Sequence, residues 1–127
     1  MTAPSWIEAA VREFGSGAGL ENFSLNERGV AAVRFENGIT LRFEYALGEL
    51  VVVMTVPVNS STESVKRILS YSHPDARCGA KVRSGYLAKK GCALLAVRLA
   101  SGDVTLPVIN TTFGVLWRIA TELGGVA

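Results

Sequence analysis

The chain has 127 residues, 49% of them apolar, with a formal net charge of +2 and only two cysteines, and its mean hydropathy is +0.30. That length makes a single domain, 1–127, with a real core. The composition excludes a disulfide framework, no apolar run approaches the roughly 20 residues of a helical membrane span, and no signal-peptide pattern opens the chain, so a cytoplasmic location is expected.

Ser5-Trp6-Ile7-Glu8 has the form of a capping box, with Ser5 as N-cap. Ile7, Ala10, Val11 and Phe14 then follow at helical spacing as one apolar stripe, and glycines at 15, 17 and 19 are expected to end the helix. Leu20, Phe23 and Leu25 anchor a connector, and Asn26-Glu27-Arg28-Gly29 reads as a turn. Three strands are expected next. In the first, from Val30 to Glu36, Ala31, Val33 and Phe35 share a face. Asn37-Gly38 suits a two-residue type I′ hairpin turn, where both residues need positive φ. The second strand turns Ile39, Leu41, Phe43 and Tyr45 inward, with Thr40, Arg42 and Glu44 outward. The third, Leu50 to Val56, is apolar on both faces and must be covered on both sides.

Pro57 should end the ladder. Ser60-Ser61-Thr62-Glu63 is a second capping box, opening a short helix with Val65, Ile68 and Leu69 on one face and His73-Pro74 as its stop. Residues 74–85 read as a basic loop, with a strand beginning near Val82 or Tyr86. Cys92 to Leu99 reads as a strand, Ser101-Gly102-Asp103 as a turn, and Val104 to Ile109 as the returning strand. The last helix is capped by Asn110 or a threonine behind it, buries Phe113, Leu116, Trp117, Ala120 and Leu123, and stops at Gly124-Gly125. The fold class is α+β: a mostly antiparallel sheet with helices packed on it, in the order α-β-β-β-α-β-β-α.

No catalytic constellation is visible, so an enzyme is not expected. The single histidine, His73, has no local partner, and Asp75 and Asp103 sit where turns call for aspartate. Cys92 reads as a small core residue and Cys78 as a thiol without a paired base. Neither glycine-rich stretch has a phosphate-loop frame, and no metal or cofactor site is read from the sequence. Arg77, Lys81, Arg83, Lys89 and Lys90 form a basic patch with only Tyr86 nearby to stack on a base, so nucleic acid is not the expected partner. The charge is divided: residues 1–63 hold four arginines against eight glutamates, and residues 64–127 hold nine basic side chains against three acidic ones. Such a split suits self-association or an acidic partner. The apolar surplus points to surface reserved for a partner.

Several of these segments resemble the class I chaperones of type III secretion, the Tir-chaperone family. The matching residues are Phe14-Gly15 at the end of the first helix, Leu25-Asn26-Glu27-Arg28-Gly29-Val30 leading into the first strand, and the hairpin Phe35-Glu36-Asn37-Gly38-Ile39-Thr40-Leu41. The strand pair that runs into a last amphipathic helix also fits. The resemblance implies a dimeric, ATP-independent chaperone of the bacterial cytosol that holds the N-terminal region of a secreted effector or regulator in an export-competent state. It implies client contacts on the first helix and early strands, at Trp6, Ile7, Phe14, Val33 and Phe35. Ile7 and Phe14 equally fit plain core at their spacing. It implies a dimer interface at Val65, Ile68, Leu69 and Leu94, as a homodimer or a heterodimer with a second small chaperone. The alternative is a non-enzymatic regulatory or scaffold module of the same fold that binds a protein never exported. A third reading is a small enzyme or ligand-binding domain using His73 or Cys78.

Overall fold

A computed structural model describes residues 3–58, 74–75, 80–87 and 91–123, the side chains of 74, 75, 80, 81 and 123 excepted. Helix α1 spans Ser5–Gly17. Strands β1 (Val30–Arg34), β2 (Thr40–Ala46) and β3 (Glu49–Pro57) follow as a meander. A two-residue β4 (Pro74–Asp75), then β5 (Ala80–Leu87) and β6 (Cys92–Ala100), complete the sheet. A short 3₁₀ turn at Ser101–Asp103 leads to the last helix, α2 (Leu106–Leu123).

The sheet order is β1-β2-β3-β6-β5-β4, with every pairing antiparallel. The α+β class therefore holds, and β3 and β6 are the central strands. That position explains why β3 is apolar on both faces. Its Leu50, Val52, Met54 and Val56 are buried, together with Ala93, Leu95, Val97 and Leu99 of β6. The helices lie on this inner face: Ile7, Val11 and Phe14 of α1 join Ile109, Leu116 and Ala120 of α2 in one core. The Phe14 ring lies 5.4 Å from Phe43 and 5.2 Å from Phe113, tying both helices to β2.

Five local expectations need correction. Ser5 is not a capping box N-cap. The helix starts at Ser5 itself, and the Pro4 carbonyl accepts the N–H groups of Ile7 (3.0 Å) and Glu8 (3.1 Å). The glycines end α1 as expected, at Gly17, but the first strand stops at Arg34 and not at Glu36. At Asn37-Gly38 only Gly38 has positive φ, so the turn is not type I′. The two-residue turn with both centres positive is Leu47-Gly48, at φ 53° and 76°. Residues 80–87 are strand, because their alternation puts Val82 against Val97 in the core.

The fifth is the expected return strand Val104–Ile109, which is the start of α2 instead. Thr105 caps it, its Oγ1 accepting the Val108 N–H at 3.3 Å, and Pro107 sits in the first turn, where its missing N–H costs nothing. The earlier start also changes the buried face. Ile109, Thr112, Val115, Leu116, Ile119 and Ala120 point inward, while Phe113 and Trp117 lie at the rim, half-buried. The expected helix at 60–73, and with it His73, lies outside the described residues, as does Cys78.

Candidate functional site

The first sheet edge is β1, and its hydrogen-bond phase is fixed at both ends. Phe35 donates its N–H to the Ile39 carbonyl and Tyr45 donates to the Gly29 carbonyl, each at 2.8 Å. Antiparallel pairs alternate, so the backbone groups of residues 29, 31, 33 and 35 face β2 and those of Val30, Ala32 and Arg34 face outward. Val30 is already closed. Its N–H donates to Asn26 Oδ1 at 3.0 Å, and its carbonyl accepts the Asn26 N–H at 2.9 Å. Ala32 and Arg34 remain as the outward rungs of the edge.

Beside this edge lies a partly exposed apolar surface. Val33 and Phe35 are half-buried on the same face of the sheet as the helices. The Phe35 ring lies 5.1 Å from Trp117 and 6.4 Å from Phe113, and Phe113 stacks on Trp117 at 5.6 Å. A hairpin end and a helix rim thus build one aromatic surface. Such rings bring large apolar area at little conformational cost, which suits protein recognition.

The expected client residues divide. Trp6 is 56% exposed, and Val33 and Phe35 are half-buried. Ile7 and Phe14 are buried against the sheet and Phe23, so their side chains offer no surface in this chain. Helical spacing reads Phe113 and Trp117 as core only. The signal that points to the rim is the Thr105-Leu106-Pro107 helix start, which extends the inward stripe back to Ile109 and Thr112 and leaves both rings on its flank.

The opposite face of the sheet is apolar at its centre. Val51 and Val53 of β3 and Leu94 and Ala96 of β6 lie side by side there, each half-buried, with Thr55 and Gly85 in the Leu94 row. The hydroxyls of Thr40 and Thr55 bond to each other at its margin. Of the expected dimer residues, Leu94 is on this face, and Val65, Ile68 and Leu69 lie outside the described residues.

Among the described residues no group of histidine, cysteine and carboxylate side chains could hold a metal ion, and two open surface depressions are lined mainly by residues 19–28. Cys92 is half-buried at the start of β6. No helix among the described residues is long and apolar enough to cross a membrane.

Solved structures share this fold. The type III secretion chaperone SycH of Yersinia pestis, solved in complex with a stable fragment of YscM2, is 22% identical with a TM-score of 0.72, over 92% of this chain and 98% of that one. A chain of the ExsC–ExsE complex is 18% identical with a TM-score of 0.75, over 99% and 96%. A chain of the heterodimeric ExoU–SpcU complex from the type III secretion system of Pseudomonas aeruginosa is 15% identical with a TM-score of 0.66, over 94% and 96%. A search of curated protein sequences gave no match. The family model "Type III secretory system chaperone SycN" matches residues 6–124, nearly the whole chain, and the chain belongs to that family of type III secretion chaperones.

Proposed function

We propose that this chain is a cytosolic, ATP-independent chaperone that binds the N-terminal region of a secreted effector or regulator and keeps it ready for export. The observation that carries the reading is the Phe35–Phe113–Trp117 surface lying beside the outward rungs of β1. An extended client adds a strand to that edge and presses alternate side chains onto the aromatic rings. Trp6, Val33 and Phe35 are the client contacts proposed from the expected set, with Phe113 and Trp117 added. Ile7 and Phe14 act by holding α1 on the sheet. The relatives of this fold solved with YscM2, HopA1 and ExoU support a protein partner of this kind.

The chain works as a dimer through its other sheet face. Leu94, with Val53 and Ala96 beside it, is the described part of that interface, and Val65, Ile68 and Leu69 are its proposed continuation. No enzymatic step is required of any residue.

Native mass spectrometry of the tagged chain, purified from its own cells, tests the reading. The expected species is a dimer carrying one copy of a larger exported protein, and unequal chaperone masses would mark a heterodimer. In Trp6→Glu the dimer should persist without the client. A monomer with nothing bound, or a stable partner that is never exported, would overturn the proposal.

A further inference from the structure

We propose that the β1 edge selects its client by charge as well as by shape: it takes an acidic–apolar alternating segment, with a carboxylate beside Arg34 and an apolar side chain beside Val33. This rests on the client-binding reading above and names the chemistry of the segment bound.

Two features of the edge fix the pairing. Asn26 occupies both outward groups of Val30, so an added strand pairs at Ala32 and Arg34 and stops short of Val30. Residues directly opposite each other across a ladder point to the same face. The client residue opposite Val33 therefore points toward the helices, next to Val33 and the Phe35–Trp117 pair. The residue opposite Arg34 points to the other face, where Arg34 itself projects, exposed.

Arg34 has an unanswered charge. One strand inward, Arg42 is held by Glu44 at 3.1 Å, and across the sheet Arg98 faces Glu49 at 3.8 Å. Arg34 has no carboxylate partner among the described residues. An opposite charge placed directly across a ladder is favourable and a like charge unfavourable. A client glutamate or aspartate at that rung would give Arg34 the carboxylate that Glu44, two residues along the same strand, gives Arg42, and a lysine there meets repulsion.

The test uses the full chain, labelled with nitrogen-15, and two synthetic peptides of about ten residues, enough for one strand with flanks. Both alternate valine with a charged residue, glutamate in one and lysine in the other. The glutamate peptide should bind about fivefold more tightly, and Arg34→Glu should reverse the preference. Amide exchange at Ala32 and Arg34 should slow about tenfold in the complex, while Val30, already bonded to Asn26, stays unchanged. Equal affinities, or a preference that survives Arg34→Glu, overturn the charge selection. Protection elsewhere with none at Ala32 and Arg34 overturns the use of this edge, and failure of both peptides to bind overturns the inference whole. The client-binding reading fails by a different result, a chain purified from its own cells without an exported partner.

Discussion

The ring of Phe35 meets the ring of Trp117 edge-to-face, 5.1 Å between centroids and 71° between planes. One residue follows an edge strand and the other sits on the last helix, so the contact joins two elements at the protein surface. Each ring is half-buried, which leaves part of each open to solvent. Phe35→Ala and Trp117→Ala should each lower stability by about 1–3 kcal/mol, less than truncating a fully buried ring such as Phe43. In a double-mutant cycle followed by urea unfolding, the two should couple by about 0.5–1.5 kcal/mol. Client affinity should fall about tenfold or more in either folded single variant. Unchanged affinity would assign the pair to stability alone.

Leu94 tests the other face. It is half-buried at the centre of the outer sheet surface, next to Val53 and Ala96 in the neighbouring rows. A charge there is tolerated by a monomer that leaves the face in water but not by an interface that dries it. Leu94→Asp should give a folded monomer by sedimentation, or aggregate if the interface is obligate. A variant that keeps the dimer mass would move the interface elsewhere.

The meander was legible because its signal is local. Ile39, Leu41, Phe43 and Tyr45 alternate without a break, and a half-buried strand requires that period. The α1 stripe was legible for the same reason. The start of α2 was not, because Val104, Leu106 and Val108 alternate like a strand, and Thr105 capping with Pro107 in the first turn decides otherwise. Of the proposed site, Trp6, Val33 and Phe35 are expected from the family resemblance, whereas Phe113 and Trp117 join Phe35 only through a tertiary contact that no spacing encodes. The free rungs at Ala32 and Arg34 depend on sheet order, which a single sequence does not state.

Gly15 is buried inside α1, and a Cβ built there would lie 2.7 Å from the Phe23 Cβ and 3.0 Å from the Phe23 carbonyl oxygen. The connector that follows α1 can fold back against the helix only because this side chain is absent. Gly15→Ala gains about 1 kcal/mol of helix propensity and loses more to overpacking. The expected net is a loss of about 1–2 kcal/mol, read from the urea midpoint. Gly17→Ala is the control. Nothing lies within 4 Å of the position its methyl would take, so the propensity gain should appear alone.

Leu47 sits at the tip of the β2–β3 hairpin with φ of 53°, and it is 88% exposed. A leucine suffers steric strain in that conformation and recovers no burial. Asparagine is the residue such a turn prefers. Leu47→Asn should therefore raise stability by about 1 kcal/mol, with client binding and dimer mass unchanged. A stable variant that lost binding would place this hairpin tip in a recognition surface.

Thr112 is fully buried on α2 among Ile109, Val115 and Leu116, and its Oγ1 has no hydrogen-bond partner. A buried hydroxyl without a partner costs about 1–3 kcal/mol of desolvation. Thr112→Val replaces that hydroxyl with a methyl of nearly the same shape and keeps the side chain branched at Cβ, so the helix propensity barely changes. The expected gain is about 1 kcal/mol. Thr112→Ser makes the opposite change: it keeps the orphan hydroxyl and removes the methyl, and should lose about 1 kcal/mol. Urea midpoints at constant slope should rank the three as valine above threonine above serine. Threonine above valine would mean that the hydroxyl is bonded in solution, by a buried water or by a rotamer that reaches the Val108 carbonyl, and would remove the penalty assigned to this position.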